Sequence, residues 1–410
     1  MPDAACDPAP QSAPQSAPQS APQSAPHTSG AAPSSQAFNA PVHAFRGFAI
    51  LNILAIHCTA LAVLFQQTTP GLNQPPQPPQ HLAEAIYPVS QALFHGSTIY
   101  FALISGLLYA MVLSRKSWSE FFRGKLANVV APYVLVSFIL TLFVLPAPGE
   151  GAGLAAGSGP VWGTLFDGGA AAFARAFAGN LVFGRAVFPL WYIPVLLVLF
   201  ALTPLLAGCL RMRRGYWVLV ALAILPLAVA RTGAVLSWQN CIYFLGPYAL
   251  GVLLGAHYPA QRAWLALHWA GLAMVCLVGT LAAYALFKAG AGIDGGAYTI
   301  GAFAPVEAVV YVQKLALAGC ALVVLTRIGG RSWRWLDRCA DDAFALYFLH
   351  APVAIIMLAL AVPVLGAAQS VAGALVWVAA TCVATWAVCS AITAMIRRLF
   401  GKKSRMIIGA

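Results

Sequence analysis

The chain has 410 residues, of which 60% are hydrophobic and only 8% are charged. Soluble domains carry roughly 25% charged residues, so this composition excludes an ordinary soluble enzyme. The net charge is +12, but the basic residues form short clusters between apolar runs, which indicates membrane topology rather than nucleic-acid binding.

Residues 1–40 form a low-complexity segment in which the tetrapeptide Ala-Pro-Gln-Ser repeats four times. A segment so rich in proline and polar residues buries no core, and we predict a disordered tail. It lacks the basic start and the apolar stretch of a secretory signal. We therefore expect three parts, namely this tail, an integral membrane domain over residues 41–400 and a short basic cytoplasmic tail over residues 401–410.

Ten apolar stretches follow the tail, and each is close to the roughly 20 residues that cross the hydrocarbon core of a bilayer. They lie at residues 44–65, 91–113, 126–146, 189–210, 215–231, 238–256, 263–287, 306–326, 343–364 and 371–396. Several are continuously apolar, whereas the strands of a membrane barrel alternate at a period of two. We predict an all-α, polytopic bundle of about ten transmembrane helices.

Lysine and arginine are concentrated in alternate connections between these stretches. The basic connections hold Arg115, Lys116, Arg123 and Lys125, then Arg211, Arg213 and Arg214, then Arg327, Arg331, Arg334 and Arg338, and the C-terminal end adds Arg397, Arg398, Lys402, Lys403 and Arg405. Residues 66–90 and 365–370 contain neither lysine nor arginine. By the positive-inside rule, both termini are predicted to be cytoplasmic.

The longest connection covers residues 147–188 and lies outside in the predicted topology. It contains the apolar residues Phe166, Phe173, Phe177 and Phe183, which favour a helix lying on or dipping into the outer face. Loops this long are often functional, although packing explains the phenylalanines equally well.

The first predicted span contains an arginine and a histidine, Arg46 and His57, eleven residues apart. At about 100° per residue the two share one helix face and lie roughly 16 Å apart along the axis. Guanidinium groups suit phosphate oxygens, and a neutral histidine at depth can act as a general base toward a hydroxyl. The pair would therefore fit a long anionic donor such as acyl-coenzyme A. The alternative is an anchoring arginine and a histidine bonded to a neighbouring helix.

Two further groups of residues are candidates. At the cytoplasmic end of the third span, Arg123, Lys125 and Asn128 either contact phosphate or serve only as anchors. In the ninth span, Tyr347 and His350 are three residues apart and share a helix face, where they either act in the site or stabilise a proline-perturbed turn. The eight histidines and nine cysteines are dispersed, so no metal site is expected.

At these residues the sequence resembles the acyltransferase-3 family of integral membrane acyltransferases, over roughly residues 43–396. The most specific element is the Arg-x10-His motif of the first span, formed here by Arg46 and His57. Supporting fragments are Ile104-Ser105-Gly106, Phe121-Phe122-Arg123, Pro132-Tyr133, Leu190-Trp191-Tyr192, Tyr243-Phe244-Leu245-Gly246 and Leu346-Tyr347-Phe348-Leu349-His350. Their order and spacing together carry the resemblance.

The resemblance implies transfer of an acyl group, usually acetyl, from cytoplasmic acyl-CoA to a sugar hydroxyl of an exported or cell-envelope polysaccharide or glycolipid. It implies that His57 is the catalytic base and that Arg46 binds or positions the donor. Many members carry an Arg-x-x-Arg pair before the third span, where this chain has Lys125-Leu-Ala-Asn128. Lysine lacks the bidentate fork and asparagine lacks the charge, so Arg123 is a candidate to take over this role.

We therefore expect a membrane-bound O-acyltransferase of the bacterial inner membrane, which uses acyl-CoA as co-substrate and holds no permanent cofactor. Its partners would be the lipid bilayer, a polysaccharide or glycolipid acceptor, and a polysaccharide synthesis or export complex. The acceptor would arrive from the outer side past Trp191 and Tyr192, with Tyr347 and His350 as further acceptor-side candidates. Direct attack by the acceptor and an acyl-histidine intermediate both remain open.

Two other classes of membrane protein share parts of this pattern. A transporter or flippase of a polysaccharide intermediate often has internal repeats and broken helices, and the two halves of this chain show no convincing similarity. An iron-dependent desaturase or hydroxylase needs closely spaced cytoplasmic histidines, which the dispersed histidines here do not provide. The transporter or flippase is therefore the alternative to an acyltransferase.

Overall fold

The computed structural model describes residues 35–68, 80–142, 164–290, 303–328, 334–366, 368 and 370–409. Within these ranges the regular elements are helices, which confirms the predicted all-α class. The residues from Asn39 onward form one compact unit. The repeat segment, for which a disordered tail is predicted, lies outside the described residues, as does the first part of the 147–188 connection.

The described chain contains sixteen α-helices. The first eight are α1 (Ser35–Thr68), α2 (Gln80–Phe94), α3 (Thr98–Met111), α4 (Trp118–Lys125), α5 (Ala131–Leu142), α6 (Thr164–Phe183), α7 (Tyr192–Arg211) and α8 (Gly215–Ile224). The others are α9 (Trp238–Ala256), α10 (Tyr258–Leu267), α11 (Trp269–Lys288), α12 (Pro305–Ile328), α13 (Arg334–Asp341), α14 (Ala343–Leu365), α15 (Val371–Phe400) and α16 (Ser404–Ile408). A π-helix, Leu126–Val130, joins α4 to α5.

Eight helical segments of the described chain are long and apolar enough to cross a membrane, and the bent pair α9–α10 adds a ninth if its two helices form one span. The sequence predicts about ten, and the difference lies at residues 215–231, where the apolar helix Gly215–Leu227 is shorter than a full span. The predicted seventh span also begins later than expected. Residues 258–267 form α10, which is bent by 103° from α9, and α11 starts only at Trp269.

The chain between α8 and α9 is irregular, and Asn240 at the start of α9 supplies hydrogen bonds to it. The fully buried Asn240 side chain accepts from the Thr232 amide at 2.9 Å and donates to the carbonyls of Thr232 at 2.8 Å and Val235 at 2.7 Å. Irregular backbone is tolerated at membrane depth only where protein or water satisfies its polar groups. The segment between α8 and α9 is therefore suited to complete the membrane span that α8 begins.

Helices α3 and α9 pack against each other through glycines. A methyl group built on Gly106 would lie 2.1 Å from the Tyr248 carbonyl oxygen, and one on Gly251 would lie 2.1 Å from the Leu103 carbonyl oxygen. Gly255, one turn after Gly251, makes a similarly close approach to α3. Small residues let helix backbones approach closely, so these glycines set the distance between the two helices.

The helix expected in the 147–188 connection is present as α6. Its Phe173 and Phe177 rings meet Phe138 of α5 edge-on, with centroids 5.6 and 5.5 Å apart. Packing against α5 therefore accounts for these two phenylalanines, whereas the Phe166 side chain lies outside the described part of the structure.

The C-terminal residues fold back onto the bundle. Helix α16 buries Ser404 and Ile408. A methyl group built on Gly409 would lie 2.7 Å from Cβ of Phe344 and 3.3 Å from the Asn128 carbonyl oxygen. The described part of the predicted basic tail is therefore packed against the helices that carry the candidate site.

Candidate active site

His57 of α1 and His350 of α14 meet although they are 293 residues apart in the chain. Nδ1 of His57 lies 2.7 Å from Nε2 of His350, and the two rings are nearly parallel, with centroids 5.0 Å apart. His350 is fully buried, whereas His57 keeps part of its surface exposed. The structure thus brings the candidate base together with one of the acceptor-side candidates.

Hydrogen bonds around this pair determine which nitrogen of His57 is able to take up a proton. Nδ1 of His350 lies 2.8 Å from the Leu346 carbonyl oxygen, and only a protonated nitrogen donates to a carbonyl. In neutral His350 the lone pair then belongs to Nε2, which accepts a hydrogen bond from Nδ1–H of His57. Nε2 of His57 is left with its own lone pair and is the basic atom of the site.

A short turn, Phe188–Trp191, lies against His57. The Phe188 ring meets the His57 ring edge-on, with centroids 5.3 Å apart, and the Tyr347 hydroxyl donates to the Pro189 carbonyl. Phe188 is 39% exposed, so it borders the accessible side of the pair. Tyr347 lies one turn before His350 and holds this turn of the chain against α14.

Trp191 and Tyr192 continue from this turn into α7. Both rings pack against Phe244 of α9, with centroids 5.8 and 5.0 Å apart. The Tyr192 hydroxyl is buried, and no described residue bonds to it. Because buried polar atoms almost always have a partner, this hydroxyl is suited to bind a polar group that enters the site.

Arg46 lies nearer the N-terminal end of α1 and holds the end of α13. Its guanidinium donates to the Ala340 carbonyl through Nε at 2.7 Å and also through Nη2. A positive charge is favourable there because the C-terminus of a helix carries a partial negative charge. These bonds use two of the five guanidinium N–H groups, so the other N–H groups of Arg46 are available to bind an anionic ligand.

One ion pair and one histidine–carboxylate contact also hold the joint between α13 and α14. Nη1 of Arg397 lies 2.5 Å from Oδ1 of Asp342, and Nε2 of His43 lies 3.4 Å from Oδ1 of Asp341. Burial raises the pKa of the Asp342 carboxyl, while the Arg397 guanidinium acts in the opposite direction. These contacts tie the joint to α1 and α15.

The other three donor-side candidates lie around the π-helix. Arg123 is exposed near the end of α4. Nζ of Lys125 lies 4.0 Å from the centroid of the Phe200 ring and 5.3 Å from that of Phe121, so its ammonium is engaged in cation–π contacts. Asn128 lies within the π-helix, a distortion that is frequent at functional sites. Arg123 is thus the one of the three that is most accessible to a phosphate group.

A second buried polar group, which was not predicted from the sequence, joins α12 to the chain around α2 and α8. Oε1 of Glu307 lies 2.8 Å from Nε2 of His95 and accepts from Nε of Arg231 at 3.0 Å. Arg231 also contacts the His95 ring, and all three residues are at most 9% exposed. Each of the three lies in an apolar stretch of the sequence. An ionisable residue in such a stretch indicates a function or a defined partner, and this criterion identifies all three from the sequence.

Lys314 and Gln313 of α12 cap α2 inside the bundle. Nε2 of Gln313 donates to the Ala92 carbonyl at 2.8 Å, and Nζ of Lys314 donates to the Leu93 carbonyl at 2.7 Å. These carbonyls end α2, which stops before Gly96, a residue with a φ of 73°. The last four carbonyls of a helix have no helical partners, so both side chains have a structural role.

Comparison with known proteins relates the chain to one family. The family model described as an acyltransferase domain matches residues 40–394. The matched region begins at the start of the first candidate span and includes both histidines of the pair. No curated protein and no solved structure matches the chain.

Proposed function

The chain belongs to the acyltransferase-3 family, and we propose that it is a membrane-bound O-acyltransferase. In this proposal it transfers an acyl group, with acetyl as the default of the family, from cytoplasmic acyl-CoA to a hydroxyl of an exported or cell-envelope polysaccharide or glycolipid. The apolar helices and the family indicate a multi-pass membrane protein, and the bacterial inner membrane is its proposed location.

The observation that carries the proposal is the ordered pair of His57 and His350. A histidine whose Nδ1–H is held by an acceptor presents Nε2 to the reacting groups, as general bases of acyl transfer do. Here the acceptor is a second histidine, which is itself oriented by the Leu346 carbonyl. The same hydrogen bond keeps the His57 ring in place when Nε2 takes up a proton.

In the proposed reaction the acceptor hydroxyl transfers its proton to Nε2 of His57 while its oxygen attacks the carbonyl carbon of the thioester. The carbon–sulfur bond then breaks, and the coenzyme A thiolate takes the proton from His57. An ester and a free thiol are formed, and His57 returns to its neutral state. In the alternative route His57 itself attacks the donor first, and ping-pong kinetics would identify that route.

On the donor side, the proposal assigns the phosphate groups of acyl-CoA to Arg46, Arg123, Lys125 and Asn128. Arg46 precedes His57 by eleven residues, which corresponds to about 16 Å along a helix. This length suits a donor whose phosphates stay at the cytoplasmic end while its thioester reaches the histidine. Two observations support the assignment most directly. Arg123 is exposed, and Arg46 has guanidinium N–H groups that are not used in its bonds to Ala340.

On the acceptor side, the proposal assigns the sugar to the neighbourhood of Trp191, Tyr192 and Tyr347. Of these residues Tyr347 lies beside the histidine pair, with its ring centroid 6.1 Å from that of His350. Small-molecule sites are commonly lined by aromatic side chains with a few placed polar groups. The buried Tyr192 hydroxyl, to which no described residue bonds, is such a polar group. A polysaccharide synthesis or export complex would deliver the acceptor to these residues.

The test is binding and turnover of labelled acetyl-CoA by the purified protein in detergent. It needs no acceptor, because slow hydrolysis can stand in for transfer. We expect His57→Ala to bind the donor and to lose turnover by about 100-fold or more. Arg46→Ala should bind the donor weakly. Arg213→Ala removes an exposed charge from another connection and should behave as the wild type does.

Two outcomes would contradict the proposal. If the wild-type protein has no affinity for acetyl-CoA or other acyl-CoAs at millimolar concentration, the enzyme loses its donor, and transport of a polysaccharide intermediate becomes the function to test. If Arg213→Ala weakens donor binding as much as Arg46→Ala, overall charge attracts the donor and Arg46 has no special role.

A further inference from the structure

The buried group of His95, Arg231 and Glu307 has no part in the reaction as described so far. Its members are at most 9% exposed, and Glu307 accepts from Arg231 at 3.0 Å. A buried ion pair is costly to desolvate, and its replacement by apolar residues is often neutral or stabilising. Stability alone therefore explains this group poorly. Ionisable residues at membrane depth more often have a function.

The group lies at about the depth of the histidine pair. Helices α2 and α3 together form one candidate span, and the Phe101 ring of α3 meets the Tyr347 ring of α14 with centroids 6.2 Å apart. In the predicted topology α3 and α14 cross the membrane in opposite directions. His95 precedes Phe101 and His350 follows Tyr347, so both histidines are displaced from this contact toward the outer side.

Arg231 is placed so that its charge acts on the site of the reaction. Among the cationic side chains of the described chain, it is Arg231 whose charge reaches the His57 ring. Arg46 precedes His57 by eleven residues, which is about 16 Å along α1. A cation near a base is unfavourable once that base takes up a proton, because like charges repel. The arrangement becomes favourable when a negative charge forms near both groups.

The proposed reaction forms such a negative charge. When the acceptor oxygen, or a water oxygen in hydrolysis, attacks the thioester carbon, one electron pair of the carbonyl double bond moves onto its oxygen. When the carbon–sulfur bond breaks, this pair forms the double bond again and the sulfur leaves as a thiolate. We propose that the Arg231 guanidinium supplies the positive charge that stabilises this oxyanion. The inference rests on the proposed acyl transfer.

His95 and Glu307 are the positioning residues of this charge. Oε1 of Glu307 accepts from Nε of Arg231, and it also lies 2.8 Å from Nε2 of His95. Nη2 of Arg231 lies 2.9 Å from Nδ1 of His95. The guanidinium is thus fixed before the reaction begins. A fixed charge in a site that excludes water stabilises a developing oxyanion without reorganisation, and this is usually the largest single contribution to catalysis.

The test is steady-state hydrolysis of acetyl-CoA by the full chain in detergent, with the unfolding temperature measured for each variant. Arg231→Leu/Glu307→Leu leaves neither charge of the ion pair unpaired and should fold. Its kcat should still fall about 100-fold or more, with KM unchanged, because the thioester is uncharged until it is attacked. Thr203→Val/Tyr248→Phe is the matched control. It removes another buried polar pair, with oxygens 2.7 Å apart, and should keep its kcat.

A second pair of variants gives the same test if the double variant does not fold. Arg231→Lys and Arg231→Gln both lose the guanidinium, but only lysine keeps the positive charge. Per folded protein, the lysine variant should retain more of the kcat than the glutamine variant. Equal kcat values would overturn the proposal, because the charge would then have no role.

Two further outcomes would overturn the proposal. A folded Arg231→Leu/Glu307→Leu variant with the kcat of the wild type would leave the group a structural role only. A raised KM with an unchanged kcat would mean that Arg231 binds an anionic group of the donor before the reaction. Failure of the proposed function is distinguishable from both, because the wild type itself would then show no turnover.

Discussion

The contact between His57 and His350 leads to a prediction at the scale of single residues. In His350→Ala the Nδ1–H of His57 loses its acceptor, so the ring is free to rotate and to change tautomer. We expect kcat for acetyl-CoA turnover to fall about 100-fold, with KM for acetyl-CoA unchanged, because the donor phosphates are assigned to other residues. His350→Gln keeps a carbonyl acceptor and should recover part of the loss. Steady-state kinetics of both variants measure this.

A purely structural role of His350 would give a different pattern. Both variants would then lose the folded fraction, and their unfolding temperatures would fall together with their activity. Equal kcat values for the alanine and glutamine variants would also contradict a positioning role, because only glutamine offers an acceptor.

The buried group of His95, Arg231 and Glu307 leads to a prediction about stability. Glu307→Leu leaves the Arg231 charge without its carboxylate and should lower the free energy of unfolding by about 3–5 kcal/mol. The double variant Arg231→Leu/Glu307→Leu removes both charges and should lose less than the sum of the single variants. Unfolding of the four proteins in detergent completes a double-mutant cycle. Strictly additive losses would contradict a direct ion pair.

At the scale of helices, the close packing of α3 and α9 can be tested at one glycine. Gly251→Ala places a methyl group 2.1 Å from the Leu103 carbonyl oxygen, so the helices must separate. We expect a loss of about 1–3 kcal/mol in the free energy of unfolding. Gly208→Ala in α7 is the matched control, because its added methyl group meets nothing within 4 Å. Alanine has the higher helix propensity, so the control should be neutral or slightly stabilising.

The comparison of the two glycine variants separates packing from propensity. Both positions lie inside helices, so propensity acts on them in the same direction. An equal change in unfolding temperature would mean that the contact between α3 and α9 does not set the stability.

At the scale of the whole molecule, the charge pattern predicts that both termini lie in the cytoplasm. A green fluorescent protein fused to the C-terminus should fluoresce, whereas alkaline phosphatase fused there should be inactive. Alkaline phosphatase inserted after Gly366 should be active, because residues 365–370 are predicted to lie outside. The reverse pattern of activities would contradict this orientation, and with it the cytoplasmic entry of the donor.

Much of this protein was predictable from the sequence because the relevant signals are local. A run of about 20 apolar residues identifies a span without reference to its neighbours. An ionisable residue within such a run is equally visible, which is how Arg46 and His57 became candidates. The same signal marks His95, Arg231 and Glu307, which were not predicted as a group because the signal does not show that they meet. Helix α10 was missed because its apolar second half, residues 263–267, continues into the apolar α11, so the hydropathy pattern does not show the break between the two helices.

Only the tertiary structure decided which distant residues meet. The sequence placed Tyr347 and His350 on one face of a helix, but their contacts with His57 and the Pro189 turn depend on how α14 packs against α1 and α7. Likewise, the capping of α2 by side chains of α12 joins residues 221 apart. Helical periodicity predicts which side chains share one face of a helix. It does not predict which face of another helix packs against them. The partner of each buried polar group, and therefore the basic nitrogen of His57, follows from packing alone.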